Sequence, residues 1–352
     1  MKTYHRVRYS TAMSFLLAAA CALCFCTFTF AQGEQETIKV DTELVNLNVV
    51  VMDRQGRRIG GLKKEDFEVY EDGAQQQISH FAAEERPLKL VLLFDTSISM
   101  EEVLPAVKQE AIRLINNLQV DDRVSILSFA SQVRLISSWV DREQAVDEVR
   151  RITPEAHPSP LPPTIWRRGY HIGDGNTYLY EAFEYVFDHL RADGDRVAVL
   201  MFSDGVDTGA GRDIGRIKKR SNEIGKQVRR QAEESWALVY PIRYKTRQFI
   251  GALPEPAHRP IGAIRLGRGP ADPGRELFSK IATASGGEVF EWTTQQDLTV
   301  VIENALADLR SQYGLAYQPP RADDRNRSHR IKVRVKRPEM IVRTRESYRR
   351  PQ

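Results

Sequence analysis

The chain has 352 residues, with 51 basic against 47 acidic side chains, a formal charge of +4 and three cysteines. That balance excludes recruitment to nucleic acid by bulk positive charge, and so few cysteines exclude a disulfide-built scaffold. The length suits one large domain with a smaller one, or two to three modules.

Lys2, Arg6 and Arg8 open the chain and are followed by an uncharged stretch from Met13 to Phe30. Thr29-Phe30-Ala31 offers small residues at the −3 and −1 positions, so residues 1–31 read as a signal peptide cleaved after Ala31. An uncleaved anchor helix is the alternative, since the run is near the minimum spanning length. Cys21, Cys24 and Cys26 all lie inside this stretch. The mature chain would therefore carry no cysteine and almost no net charge. The expectation is an exported protein: periplasmic, in the cell envelope, or secreted.

Residues 38–86 read as a small β module. "TELVNLNVVVMD" alternates at Val45, Leu47 and Val49, and "DFEVYEDG" and "QQISHF" predict two short strands around an Asp72-Gly73 turn. From residue 87 to 313 strands and helices alternate. The strands are Leu88–Phe94, Arg123–Phe129, Val197–Phe202, Ala237–Tyr244 and Glu288–Trp292. Apart from Lys89, "LKLVLLF" and "VAVLMF" are apolar throughout, as strands covered on both faces are. The helices are Glu102–Leu118, Tyr178–Leu190, Asp213–Glu234, Arg275–Ala284 and Thr294–Gln312. In the second of these, Leu179, Phe183, Val186 and Leu190 form one apolar stripe. The pattern predicts an α/β fold with a doubly wound, mostly parallel sheet. Two stretches lack periodicity: Thr153–Asn176, with five prolines, and Thr246–Gly274. Residues 314–352 return to β in "YGLAYQP", "HRIKVRVK" and "IVRTRESY", which are expected to pair with the N-terminal module and so form one β domain interrupted by the α/β domain.

The chemistry concentrates where strands end. "LVLLFDTSISM" breaks a core strand into Asp95, Thr96, Ser97 and Ser99, and "FSDGVDTG" places Asp204 directly after another core strand. Between them "GDGNTYLYEAF" sets Thr177 before an amphipathic helix. In an open α/β sheet, loops at the C-terminal strand ends share one edge. Oxygen donors without Cys or His suit a hard cation, Mg²⁺ or Mn²⁺, rather than zinc. Neutral hydroxyls leave much of the ion's charge uncompensated, so such an ion would attract an anionic ligand, most simply a carboxylate.

These residues carry a resemblance. D-x-S-x-S after an apolar strand, a distal Thr and a later S-D-G resemble the metal-ion-dependent adhesion site of von Willebrand factor A domains, over about residues 87–313. The resemblance implies that Ser97, Ser99 and Thr177 contact the metal, that Asp95 and Asp204 act largely through water, and that a partner's Glu or Asp completes the shell. The flanking "GGLKKEDFEVYEDG" and "YGLAYQP" resemble exported bacterial proteins related to this family and abundant in acidobacteria. Two positions depart from the pattern: Ile98, where Gly is frequent, and Asn176, which tolerates positive φ.

Simpler readings stand beside these. Ser99 could cap a helix starting near Glu101, with Glu102 completing a capping box. Asp207 orders a turn. "GAGRDIG" (209–215) has the wrong spacing for a dinucleotide loop. The twelve basic residues from Arg321 onward, against four acidic ones, form a solvated strand face rather than a polyanion site. No G-x-S-x-G or H-E-x-x-H is present, and the histidines, His157 and His171 among them, are scattered.

The expected function is a binding module, not an enzyme, that grips an acidic side chain of a partner protein through Mg²⁺. Trp166 and Tyr170 in the proline-rich loop are candidate aromatic anchors. A metal-dependent hydrolase and an assembly scaffold with a vestigial metal site are the alternatives.

Overall fold

The computed structural model describes residues 44–83, 87–155, 178–190, 196–205, 214–235, 237–245, 273–320 and 328–349. Residues 1–43 lie outside these, as do Thr177, Trp166, Tyr170, Asn176, Asp207, His157, His171 and most of both aperiodic stretches.

The N-terminal β segment yields four strands: β1 (Val45–Met52), β2 (Phe67–Glu71), β3 (Ala74–Gln76) and β4 (Ile78–Ala83). The α/β region follows as β5 (Leu88–Asp95), α1 (Leu104–Asn116), β6 (Arg123–Phe129), β7 (Val133–Val140), α2 (Arg142–Arg151) and α3 (Leu179–His189). It continues through β8 (Arg196–Ser203), α4 (Ile214–Glu234), β9 (Leu238–Tyr244), α5 (Pro273–Ser285), β10 (Phe290–Trp292) and α6 (Gln295–Arg310). The C-terminal segment adds β11 (Gln312–Tyr317), β12 (His329–Val335), β13 (Ile341–Arg343) and β14 (Ser347–Tyr348).

The central sheet has the order β10-β9-β8-β5-β6-β7, parallel throughout except for β7, which runs antiparallel to β6. Its strands are apolar on both faces because helices cover both. Leu88, Leu90, Leu92 and Phe94 face α1, α2 and α6, whereas Val91 and Leu93 face α3, α4 and α5. The succession of strands reverses between β5 and β8, so this pair marks the topological switch point, where the C-terminal strand ends leave a crevice. β7 and α2 are additions to the sequence expectation. "VRLISSWV" is half-exposed and shows no clean alternation, so periodicity does not single it out.

The two chain ends meet in two antiparallel sheets, β13-β1-β11-β4 and β14-β12-β2-β3. β1 pairs with β11 from Val45–Tyr317 to Val50–Gln312, and β2 pairs with β12 from Phe67–Val335 to Glu71–Ile331. Leu47, Val49, Phe67 and Val69 from one end pack against Tyr313, Leu315, Tyr317 and Ile331 from the other. Tyr313, at the end of the expected α/β stretch, belongs to this β core.

Candidate metal centre

β5 ends at Asp95, and the chain then turns through Ser97 into a single 3-10 turn, Ile98–Met100, before α1 starts at Leu104 with Pro105 in its first turn. The helix therefore begins later than a cap at Ser99 would require, and no side chain caps it. The Ser99 hydroxyl lies instead 3.1 Å from that of Ser97. The hydroxyls are thus committed to the loop and not to the helix.

Asp95 is buried at the sheet edge. Its Oδ1 accepts from the Ser97 amide at 2.9 Å, a local turn that holds the loop against the strand end. Its Oδ2 accepts from the Ser203 hydroxyl at 2.7 Å. Ser203 is the last residue of β8, the neighbour of β5, so this bond crosses the switch point. The Ser203 oxygen in turn accepts from the Gly205 amide at 3.0 Å. Gly205 has φ 82, a left-handed conformation that favours glycine, and a Cβ there would meet Phe278 at 3.1 Å. The turn in "SDG" thereby holds Asp204 beside Asp95.

Asp204 is also buried, and its carbonyl accepts from Arg243 Nε at 3.1 Å. Arg243 is buried too and pairs with Glu291 at 3.0 Å. This arm from β9 fixes the Asp204 backbone at the end of β8. Burial pushes the Asp95 carboxyl up to about 7, and the charge of Asp204 adds to the rise. Hydrogen bonds from Ser203 and Ser97 oppose it without cancelling it.

Four of the five residues read as metal ligands, Asp95, Ser97, Ser99 and Asp204, thus lie on two adjacent loops at the switch point; Thr177 lies outside the described residues. Tyr178, the next residue, is held at the same edge, its amide donating to Ala130 O at 2.9 Å, just past β6. The donor set fits a divalent cation. Two buried carboxylates, one of which raises the proton affinity of the other, call for a counter-charge, and two hydroxyls lie on the Asp95 loop. An all-oxygen set suits a hard ion. Ser203 is the residue that sequence reasoning missed. Its signal was its place directly before Asp204 at the end of a core strand.

A cleft of about 570 Å³ opens beside this loop, lined by Thr96, Gln132, Arg134, Arg151 and Glu155 among others. The Glu155 amide donates to Thr96 O at 2.9 Å, and its carboxylate accepts from the Ser131 amide at 2.8 Å. Residues 153–155 thus leave α2 alongside the loop that carries Asp95.

Residues 90–207 match the family model of the von Willebrand factor type A domain. Among solved structures, the chain is similar to proximal thread matrix protein 1 of the mussel byssus, solved with a zinc-occupied metal-ion-dependent adhesion site: 12% identity, 68% of this chain and 49% of that one, TM-score 0.44. It is also similar to the conserved hypothetical protein BatB of Bacteroides thetaiotaomicron (19% identity, 62% and 98% covered, TM-score 0.38) and to the human COPII-coat protein Sec24c (8%, 76% and 44%, TM-score 0.42). The chain spans about half the length of the mussel protein. No curated protein matches it.

Proposed function

We propose that this chain, whose residues 90–207 match the von Willebrand factor type A domain model, is an exported binding module. In this reading it holds Mg²⁺ or Mn²⁺ and through the ion grips an acidic side chain of a partner protein. One observation supports the reading above the others. Asp95 and Asp204 are both buried at the switch point, close enough for the charge of Asp204 to act on Asp95; Ser203 donates to Asp95, and the Ser97 and Ser99 hydroxyls lie on the same loop as Asp95. The bound ion would supply a positive charge with an open coordination position. Ser97, Ser99 and Thr177 would contact it, and Asp95 and Asp204 would hold it through water.

The protein's own residues do the rest. Ser203, Gly205 and Arg243 hold the two acids in place, so little rearrangement is needed when a ligand arrives. The cleft beside Thr96 and the segment carrying Trp166 and Tyr170 would receive the flanks of the partner's acidic residue. The reading is of a binding module and not an enzyme: the site's side chains are oxygen donors for an ion, and the sequence carries neither G-x-S-x-G nor H-E-x-x-H. Export rests on the basic and then apolar N-terminus. No helix of the described residues is long and apolar enough to cross a membrane.

Calorimetric titration with MgCl₂ and MnCl₂ tests the metal. Wild-type protein should bind one equivalent at this site, and Asp95→Ala and Asp204→Ala should lose it while their circular dichroism is unchanged. Display of a random peptide library against the immobilised protein tests the partner. Peptides enriched in Mg²⁺ should share a Glu or Asp and should elute with chelator. Titrations unaltered by both substitutions would refute the reading, as would enrichment that ignores chelator.

A further inference from the structure

The α/β domain is not the only part of the chain where ligand-type side chains converge. At the tip of the β2–β3 hairpin, Glu71 and Asp72 meet His329 at the start of β12, although 257 positions separate Asp72 from His329. His329 Nδ1 lies 3.0 Å from Asp72 Oδ2 and 3.4 Å from Glu71 Oε1. One atom from each of the three side chains lies within 4.8 Å of the others. Glu71 and His329 are buried, and the Asp72 side chain is 37% exposed.

Strand geometry alone would not produce this. Consecutive residues of a strand point to opposite faces, so Glu71 and Asp72 should diverge. Asp72 has φ 49, left-handed backbone that Asp tolerates, and with Gly73 it forms the two-residue turn joining Glu71 to its partner Ala74. The turn swings the Asp72 carboxylate back beside that of Glu71. The remaining oxygen of each acid is already engaged. Glu71 Oε2 accepts from Tyr317 Oη at 2.6 Å and Tyr348 Oη at 3.2 Å, and Asp72 Oδ1 accepts from the Arg330 amide at 2.9 Å. The His329 ring stacks on Tyr348 with centroids 5.3 Å apart. Hydrogen bonds that engage the second oxygen of each acid are of the kind that orient ligands in metal sites.

An imidazole Nδ1 carries at most one N–H. That single donor serves Asp72 at 3.0 Å and leaves the Glu71 oxygen at 3.4 Å without a short bond from it. Separations of 3.0–3.4 Å are also what two ligands subtend when both lie about 2.0–2.2 Å from one ion. We propose that Glu71, Asp72 and His329 form a second metal site, for a divalent transition ion taking one nitrogen and two oxygen ligands, with a fourth position open on the exposed Asp72 side. The donor set differs from the all-oxygen set at the switch point, and an imidazole suits Zn²⁺ or Co²⁺ better than Mg²⁺. The ion would clasp a strand from each end of the chain and so lock the β domain.

The test uses the untagged, full-length chain carrying Asp95→Ala, which removes the switch-point site and keeps the two proposals separate. Titration with ZnCl₂ alone, and with CoCl₂ followed by visible absorption, should show one equivalent bound and a raised melting temperature with Zn²⁺. Adding Asp72→Asn, which keeps the turn because Asn tolerates the same backbone, should weaken binding on the order of a hundredfold. His329→Gln should abolish the cobalt absorption bands. Absence of Zn²⁺ binding in the Asp95→Ala protein would overturn the proposal. So would binding unchanged by Asp72→Asn and His329→Gln in folded protein, which would show that the three side chains are only a hydrogen-bonded clamp.

Discussion

Asp95 sits at the sheet edge as a buried carboxyl with a second buried acid beside it, and its proton affinity records the cost. Its ordinary value is 3.8, and in the folded chain it rises to about 7, from burial first and then from the charge of Asp204. An acid whose folded value is raised contributes stability that is fully present below its unfolded value and is lost as pH rises through the folded one. The metal-free protein should therefore lose stability between about pH 4 and pH 7. A divalent ion that displaces this proton should bind more tightly as pH rises over the same window, by up to about tenfold per unit, with a plateau above it. Melting temperatures across pH 4 to 8, with and without MgCl₂, check this. Without metal the curve should fall toward neutral pH, and with metal the fall should be relieved. Asp95→Asn should flatten the metal-free curve; a wild-type curve that is already flat would contradict the account. Ser203 acts at the same scale, because its hydroxyl donates to Asp95 and so favours the charged form.

Helices and strands show how closely local sequence dictates the frame, and where it stops doing so. The turn after α5 gives a sharp case. Gly286 has φ 88 and its amide donates to Ala282 O, as does that of Gly287, which ends the helix and aims the chain into β10. A Cβ at Gly287 would lie 2.0 Å from Val239 O, a backbone atom of β9 that cannot move aside. Gly287→Ala should therefore destabilise the protein by about 1–3 kcal/mol by forcing the α5 end off the sheet. Urea unfolding measures it, and a midpoint within error of wild type would contradict the close approach. The strands flanking the site were legible because "LVLLF" and "VAVLMF" have no polar interruption, and alternation with helices implied a mostly parallel sheet; the order of its strands was not read. The residues Asp95, Ser97, Ser99 and Asp204 were legible because small oxygen donors at a core strand's end have no packing role. α2 was not read, although Asp141 accepts from the Gln144 amide at 2.9 Å and announces the helix start. Its only buried residues are Ala145, Val146 and Val149, too short a stripe to stand out. The meeting of Glu71 and Asp72 with His329 was invisible for a different reason. It depends on the long-range register of β2 with β12 and on one left-handed residue, and no local pattern encodes either.

At the scale of the whole molecule, buried ion pairs join the β sheets to the α/β domain. Asp308 on α6 is fully buried and accepts from Arg58 Nε at 2.7 Å, from the loop after β1, and from Arg343 of β13. Arg58 also donates to Asn304 O at 2.9 Å. On α4, buried Glu233 accepts from Arg349 Nε at 2.9 Å and from the Ser347 hydroxyl at 3.2 Å, and Arg345 donates to the Glu233 and Ser235 carbonyls at 3.3 and 2.6 Å. Each clasp ties a segment from a chain end to a helix lying on one face of the central sheet. A buried pair is weak evidence for net stability, but breaking one by removing a single partner leaves the other charge stranded, at about 3–5 kcal/mol. Asp308→Ala should therefore be costly, whereas exchanging all three charged residues for apolar ones of similar volume should be far milder. Because these contacts couple two cores that each bury their own apolar residues, Asp308→Ala combined with Glu233→Ala should split one calorimetric unfolding transition into two, with the smaller β core melting first. Mg²⁺ titration of the double variant below its first transition should match wild type, since neither residue touches the switch-point loops. A single undivided transition in the double variant would show that apolar packing couples the cores and that the ion pairs do not.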